Sequence, residues 1–208
     1  MPSHPDLPQR MPQQARGRQR YERILDACAS LIVANGLAGL KMSDIGKECD
    51  TAIGSLYHFF PNKDAVLNAL RARILEDFIA ILREINSVDP SQWSALSTSK
   101  FVHRLVMPLV YYVADHPECL IISDNAEHVE ISKKINTAIL DTFNFVFKIR
   151  MPGIGPDQRN LYIKSTLGLP IGMIQIGREH PELKEDLLRF EIPRALVGYL
   201  ASLKQLKP

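Results

Sequence analysis

The sequence predicts an all-α protein of about nine helices, because two patterns run through most of its 208 residues. Apolar residues recur every three or four positions, as they do along the buried face of a helix. Proline, glycine and asparagine interrupt these stretches at intervals that suit helical elements. No segment alternates between apolar and polar residues for long enough to form a strand, so no sheet is expected.

The N-terminal part of the chain reads as a polar arm followed by a long helix. Residues 1–16 are rich in proline and glutamine and are interpreted as a disordered arm. The next residues carry an apolar stripe that includes Tyr21 and Cys28, and this stripe predicts the first helix. Asn35-Gly36 should end this helix, because glycine readily takes the left-handed conformation found at helix C-termini.

Residues 41–64 contain the most informative pattern of the chain, which is two short helices joined by a tight turn. Ile45 and Cys49 lie four residues apart and can share the buried side of the first short helix. Asp50 and Thr51 follow, and both residue types favour turns and helix caps over helix interiors.

The second short helix is predicted over residues 53–60. Its spacing directs Leu56 and either Phe59 or Phe60 inward, which leaves the polar side chains of this helix free to contact something outside. Pro61-Asn62 should end the helix and cap the next one. Two helices in this arrangement form a helix-turn-helix, whose second helix enters the major groove of DNA.

This segment resembles the DNA-binding domain of TetR-family transcriptional regulators. The resemblance rests on Asp44-Ile45-Gly46, on the run Gly-Ser-Leu-Tyr-His-Phe-Phe at 54–60, and on Pro-Asn-Lys-Asp at 61–64. It extends over about residues 18–78. The domains that it implies are a helix-turn-helix DNA-binding domain at 17–77, with its motif at about 41–60, and a helical ligand-binding and dimerisation domain at 78–208.

The chain departs from the family pattern at two places. The family usually has an Ala-Gly-Val-Ser-like turn, whereas residues 49–52 are Cys-Asp-Thr-Ala, so the glycine and the serine cap are both missing. The threonine that often caps the preceding helix is replaced by Lys41 or its neighbours. The operator sequence of other family members therefore does not transfer to this chain.

The resemblance also implies DNA contacts at and around the second short helix. The alternative is that Tyr57 packs in the core and that the other candidates are ordinary solvated residues. Arg16 and Arg18 can enter an adjacent minor groove, or they can belong to a solvated tail. The candidate DNA contacts are Lys41, Ser43, Thr51, Ala52, Ser55, Tyr57, His58 and Lys63.

The rest of the chain is predicted to be helical throughout. Proline at position 108 should kink one of these helices. The expected helices lie at about 62–86, 94–115, 117–124, 126–150, 157–179 and 182–204.

Aromatic and polar residues of the middle helices are candidates for a ligand pocket. Apolar walls with a few polar groups suit a small-molecule cavity, although each residue taken singly fits a plain core equally well. The candidates are Phe78, Trp93, Phe101, His103, Tyr111, Tyr112, His128, Phe143, Phe147 and Tyr162.

Two glycines four residues apart, Gly168 and Gly172, share one face of a predicted helix. Glycine within a helix costs about 1 kcal/mol relative to alanine, so its presence needs a reason. One reason is a homodimer seam, because a palindromic operator calls for a two-fold dimer. The other is close helix packing inside a single chain.

The composition and the motifs exclude several classes of function. The net charge is only +2, so any DNA contact depends on local basic clusters. Cys28, Cys49 and Cys119 form no CxxC pair and are expected to be reduced thiols in the cytoplasm. No spacing typical of a metal site or an enzyme is present, so no cofactor and no catalytic residue is expected. No apolar run reaches the length of a membrane span.

These observations favour a dimeric cytoplasmic transcriptional regulator, expected to be a repressor. Its partners would be a double-stranded DNA operator and a small apolar or aromatic effector, with no membrane involved. One alternative is a DNA-binding dimeric adaptor without a small-molecule effector. Another is an all-α enzyme with an incidental helix-turn-helix, which would need acid, base or metal-ligand groups that the sequence does not display.

Overall fold

The computed structural model describes residues 14–123 and 129–203. These ranges are helical, with short turns and no β-strand, which confirms the all-α expectation. Most of the predicted arm at 1–16 lies outside the described residues, whereas Ala15 and Arg16 already belong to the first helix. The chain divides into two compact units, which are described in turn.

The first unit combines the N-terminal helices with a segment from the middle of the chain. It comprises the described residues up to Glu76 and those within His116–Ser132. Its helices are α1 (Ala15–Gly39), α2 (Met42–Glu48), α3 (Ile53–Phe59), the first part of α4 (Lys63–Asn86), α8 (Glu118–Ser123) and the beginning of α9 (Val129–Arg150).

Helix α1 provides much of the core of the first unit. Its apolar stripe is buried as the spacing predicts, and Cys28 is fully buried. Gly36 has a positive φ of 69° and a ψ of 172°, which are not helical, so the regular helix ends at Asn35-Gly36 as predicted, and a short helical segment then completes α1 to Gly39. The buried side chains of α1 are Tyr21, Ile24, Leu25, Ala27, Cys28, Ala29 and Ile32.

Helix α8 packs against α1, far from it in sequence. Cys119 and Ile122 of this helix are buried in the first unit, and burial of apolar side chains is the main driving force for such packing. The sequence predicts that everything after residue 77 belongs to one second domain. The structure instead groups the described residues within His116–Ser132 with the N-terminal helices.

The second unit comprises Asp77–Asp115 and the described residues from Lys133 onward. Its helices are the second part of α4, α5 (Pro90–Ala95), α6 (Thr98–Leu105), α7 (Met107–Asp115), most of α9, α10 (Pro156–Glu179), α11 (Lys184–Asp186) and α12 (Ile192–Leu203). Helix α12 packs on both α6 and α10. A 3-10 turn at Pro181–Leu183 precedes α11, and a π-helical segment at Leu187–Glu191 joins α11 to α12.

The predicted single helix at 94–115 is wrong, because the structure has separate helices there. Ser97 caps α6, its hydroxyl accepting a hydrogen bond from the Lys100 backbone N–H at 3.3 Å. Helix α7 begins at Met107, which places Pro108 in its first turn, where the missing N–H of proline costs nothing. Val106 between α6 and α7 keeps an α-helical backbone, with φ −100° and ψ −45°, so the helix is interrupted at this single residue just before Pro108.

Candidate nucleic-acid interface

The turn between α2 and α3 is held by close backbone packing. Gly46 is buried in α2, and its carbonyl accepts a hydrogen bond from the Thr51 N–H at 2.9 Å. A Cβ at Gly46 would lie 3.2 Å from the Thr51 carbonyl oxygen, closer than most Cβ contacts. Glycine at this position therefore allows the turn to fold back on α2.

Asp50 takes the left-handed conformation in this turn, with a φ of 47°. It occupies the position where the family usually has glycine, and aspartate is one of the few other residue types that visit this region. Thr51 follows with 8% of its surface exposed, and its hydroxyl donates to the Cys49 carbonyl at 3.2 Å. The turn thus closes without the usual glycine and serine.

Helix α3 presents a mixed face to the outside. Leu56 and Phe60 point inward with 0% and 2% exposure, and the Phe60 ring packs 5.0 Å from that of Tyr21. The prediction that Leu56 and one of two phenylalanines lie inside is therefore confirmed, with Phe60 as the inner one. Tyr57 does not pack in the core, because it is 49% exposed.

Most of the candidate DNA contacts lie at the surface of the first unit. The prediction that Thr51 contacts DNA is corrected. Its side chain is buried and hydrogen-bonded within the turn, so it stabilises the motif and is not available to a base. Ser55 and Lys63 are partly exposed. The exposed candidates are Lys41, Ser43, Ala52, Tyr57 and His58.

Sequence reasoning missed Ile53, the first residue of α3, which is 48% exposed. Only polar residues of this helix were expected outside. The available signal was its spacing: Ile53 lies four residues before Tyr57 and so shares its side of the helix.

Positive charge is present on α1 and at the start of α4. Asn62 caps α4 as predicted, its side-chain oxygen accepting from the Ala65 N–H at 2.8 Å, and Lys63 lies in the first turn behind it. Arg73 ties α4 to α1 through Asp26 at 2.7 Å and Glu22 at 3.2 Å. The exposed arginines of α1 are Arg16, Arg18, Arg20 and Arg23.

The three cysteines are free and buried, as predicted for Cys28 and Cys49. Burial raises the pKa of Cys28 to about 12 and that of Cys119 to about 12. Thiolates are the reactive form of cysteine, so these two thiols are inert at neutral pH.

In the second unit, an aromatic cluster fills the core between α5, α6 and α9. The rings of Trp93 and Phe101 lie 6.0 Å apart, and those of Phe101 and Phe147 lie 5.7 Å apart. Phe143 stacks 6.3 Å from Phe147. These are four of the predicted pocket residues, and all are buried.

Trp93 carries the one polar atom of this cluster. Its indole Nε1 is buried and has no hydrogen-bond partner in the described structure. The guanidinium group of Arg104 lies 5.9 Å from the centre of the indole ring. Arg150 donates to the Trp93 and Ser94 carbonyls at 3.3 and 2.7 Å, and burial lowers its pKa.

The remaining pocket candidates separate into two groups. Phe78 and Tyr162 are buried, and Tyr112 packs on Phe78 while its hydroxyl donates to Asp77 at 2.9 Å. His103 and Tyr111 are exposed and do not line a core, so they are corrected to surface residues. His128 lies outside the described residues.

Gly168 and Gly172 lie on the exposed side of α10. A Cβ at either position would meet no atom within 4 Å, so close packing inside the chain does not explain them. Exposed apolar residues occur along the same helix. They are Leu161, Leu169, Ile171 and Ile176.

The described residues contain neither a metal-binding cluster nor a membrane-spanning helix. Residues 14–123 and 129–203 contain no group of three or more His, Cys, Asp or Glu side chains placed to hold a metal ion. Nor does any helix within the part of the chain that is described have the length and apolarity to cross a membrane.

Comparison with known proteins places the helix-turn-helix in a family. Residues 24–70 match the model of the bacterial regulatory proteins of the tetR family. The helix-turn-helix domain belongs to the TetR family. The matched residues run from the buried stripe of α1 into α4 and include the whole motif.

Several known transcriptional regulators are similar to this chain in sequence. An uncharacterised helix-turn-helix transcriptional regulator, YvdT of Bacillus subtilis, is 33% identical over 86 residues, which are 41% of this chain and 43% of that protein. The match thus spans less than half of that relative. The fatty acid metabolism regulator protein of Bacillus subtilis is 26% identical to this chain, and the match covers 66% of this chain and 69% of that protein.

A solved structure extends the similarity in fold to the C-terminal helices. The transcriptional regulator FadR from Bacillus subtilis, in complex with stearoyl-CoA, superposes with a TM-score of 0.62. The alignment covers 86% of this chain and 97% of that one, at 19% identity. The fold of the TetR-family regulator is therefore shared well beyond the helix-turn-helix.

Proposed function

We propose that this TetR-family regulator represses transcription by binding a palindromic DNA operator as a homodimer, and that a small molecule bound to its second unit releases the DNA. The observation that carries the proposal is the outward face of α3. Tyr57 and His58 are exposed there, on a helix that Leu56 and Phe60 anchor to the core. A firmly seated second helix with a free outer face is what entry into the major groove requires.

DNA binding is tested on the region upstream of the regulator's own gene. Footprinting with purified protein should protect a two-fold symmetric site with half-sites about one helical turn apart or multiples of it. His58→Ala should weaken binding to this site more than binding to unrelated DNA. Uniform coating of all DNA, with no protected site, would contradict the operator proposal.

The homodimer proposal is supported by the exposed face of α10. Gly168 and Gly172 leave the helix backbone open there, and apolar residues lie along the same helix. Small residues let a second backbone approach closely, and apolar area is what an interface between permanent partners buries. Sedimentation of the wild-type protein should give a dimer, and a monomer at micromolar concentration would remove this part of the proposal.

The effector proposal rests on the aromatic cluster of the second unit. A buried donor without a partner costs about 1–3 kcal/mol, so Trp93 Nε1 would gain from a ligand that supplies an acceptor. The other three side chains of the cluster, Phe101, Phe143 and Phe147, are apolar. We therefore infer an effector with a sizeable apolar part and a carbonyl or similar oxygen. Long-chain fatty acyl compounds are the first class to test, because one relative is a fatty acid metabolism regulator.

The effector proposal is tested by two measurements, the thermal stability of the protein and its release from operator DNA in the presence of each ligand. The chain has one tryptophan, so its fluorescence should change when a ligand reaches the cluster. Ligands that raise the melting temperature should also release operator DNA, because they must prefer the form that does not bind DNA. Trp93→Phe should keep the packing, remove the indole N–H and weaken binding of the same ligands.

A DNA-binding dimer without an effector is the second candidate function. The observation that favours it is the tight packing of Trp93, Phe101, Phe143 and Phe147, all with at most 2% exposure. If compounds of the tested classes stabilise the protein without affecting operator binding, the adaptor function is preferred.

A further inference from the structure

The outer face of α3 carries an aliphatic side chain where a polar one would be expected. Ile53 and Tyr57 are 48% and 49% exposed and lie one turn apart on this helix of seven residues. Ala52, immediately before the helix, is exposed as well. Single exposed apolar residues are common at protein surfaces, so exposure alone says nothing. What gives Ile53 significance is its fixed placement on the helix that meets DNA.

Packing against α2 holds the Ile53 side chain in one place. A Cβ at Gly46 would lie 3.8 Å from Ile53 Cδ1 and 3.7 Å from a methyl carbon of Leu56. The tip of Ile53 therefore rests against α2 at Gly46, while about half of the residue remains open to the outside. An isoleucine supported at Cδ1 presents its other methyl group, Cγ2, at a defined position, with little conformational freedom to lose on binding.

The chemistry of isoleucine selects one group on the edges of DNA bases. Isoleucine has neither donor nor acceptor, so it cannot read the hydrogen-bonding pattern of a base pair. The C5-methyl of thymine is the apolar group that the major groove displays, and aliphatic side chains contact it. Ala52 is small and apolar, so it adds no polar group that would need a partner beside that methyl.

We propose that Ile53 contacts the C5-methyl group of a thymine in each operator half-site and thereby selects thymine at that position. This inference rests on the proposed function, because it needs α3 in the major groove. Beyond the proposed function, it names the base, and the group on that base, that the Ile53 side chain recognises. Ser55 and His58 remain the side chains of α3 that can form hydrogen bonds to the neighbouring bases.

Replacing thymine by deoxyuridine tests this contact, because the exchange removes the methyl group alone. Each thymine of the footprinted operator is replaced in turn, symmetrically in both half-sites, and the wild-type Kd is measured. One position should weaken binding by about fourfold per half-site, as expected for one buried methyl-sized group. At that position 5-methylcytosine paired with guanine should bind better than unmethylated cytosine paired with guanine.

Variants then connect the lost methyl group to Ile53. Ile53→Ser should bind the thymine and deoxyuridine operators equally at that position and keep the wild-type response elsewhere. Ile53→Val retains an aliphatic surface and should keep much of the discrimination. Ile79→Ser is the matched control, because Ile79 is 40% exposed and lies in the second unit. It should discriminate like the wild type.

The outcomes separate this inference from the proposed function. If the wild type binds a defined operator but no thymine methyl affects the Kd, Ile53 does not read thymine. The same conclusion follows if Ile53→Ser retains full discrimination, or if it changes the sedimentation of the free protein, which would make Ile53 a protein contact. If the wild type has no preferred DNA site at all, the operator proposal fails and this inference with it.

Discussion

Lys63 is the residue whose role in DNA binding can be measured most directly. It lies in the first turn of α4 behind the Asn62 cap and is partly exposed. A lysine that contacts phosphate contributes equally on every sequence and releases about one counterion. Lys63→Ala should therefore weaken operator and non-operator binding alike. The slope of log Kobs against log salt should become shallower by about 0.9 per subunit.

The exposed Lys100 in α6 of the second unit is the control for this measurement. Lys100→Ala should leave the salt slope unchanged. A Lys63→Ala variant whose slope equals that of the wild type would show that Lys63 makes no phosphate contact.

Asp50 sets the stability of the turn between α2 and α3. Its φ of 47° strains any residue that has a Cβ, although aspartate tolerates this region better than alanine. Asp50→Ala should lower the free energy of unfolding by about 1 kcal/mol, and Asp50→Gly should leave it unchanged or raise it. Urea denaturation of the intact protein measures both values.

Asp141 provides the comparison for Asp50, because it is exposed within the regular helix α9. Alanine should be the more stable substitution there and glycine the less stable, since helix propensity decides at such a position. The same order at both positions would mean that Asp50 is not strained in solution.

Individual residues of the interface were predictable where spacing alone decides their orientation. Leu56 and Phe60 are four apart and are both inside, and the apolar stripe of α1 is buried as its period requires. Thr51 was not predictable, because its small hydroxyl finds a partner in the Cys49 carbonyl and can be buried. The outward side of Ile53 follows from its spacing of four residues to Tyr57, whereas its contact with α2 at Gly46 depends on tertiary packing.

At the scale of elements, α10 contains glycines with different surroundings. A Cβ at Gly177 would lie 3.4 Å from the Cα of Lys184 and 3.5 Å from a methyl carbon of Leu187, so α11 approaches the helix closely here. At Gly172 a Cβ would meet nothing within 4 Å. Close packing within the chain therefore explains Gly177 and leaves Gly172 to another cause.

Leucine substitutions at these two glycines should have opposite effects. Gly177→Leu forces bulk against α11 and should lower the free energy of unfolding by about 1–3 kcal/mol. Gly172→Leu should not destabilise the single chain, because leucine has a higher helix propensity than glycine. It should instead raise the dimer dissociation constant, measured by sedimentation. An unchanged dimer for both Gly172→Leu and Gly168→Leu would exclude this face of α10 as the seam.

Several long helices could be predicted from sequence, whereas the predicted helices at 94–115 and 182–204 are divided in the structure. The grouping of the helices could not be predicted. Periodicity and proline positions give the helices around residues 62–86, 126–150 and 157–179. They do not reveal that α8 packs on α1, because this contact joins segments about 90 positions apart and leaves no local pattern. The unpartnered indole N–H of Trp93 is equally a property of tertiary packing.

At the scale of the whole molecule, two buried thiols link stability to pH. Burial raises the pKa of Cys28 and Cys119 to about 12, whereas an ordinary thiol titrates near 8.5. The native state therefore resists deprotonation that the unfolded chain undergoes. This contribution to stability is fully present below about pH 8.5 and is lost as the pH rises toward 12.

Thiol labelling makes this difference visible under mild conditions. At pH 8 in buffer, iodoacetamide should modify Cys28 and Cys119 of the native protein far more slowly than those of the urea-unfolded chain. Mass spectrometry of peptides identifies each site. Rapid labelling of either thiol in the folded protein would show that α1 and α8 separate readily in solution.

The placement of α8 also affects how such a protein exchanges its parts in evolution. The chain passes from one unit to the other after Glu76, after Asp115 and after Ser132. A single genetic crossover near residue 77 would combine the α1 of one regulator with the α8 of another. The buried face of α1, which includes Cys28, would then pack against an α8 from a different protein. The core of the first unit is therefore inherited unchanged only when two separate stretches of gene are transferred together.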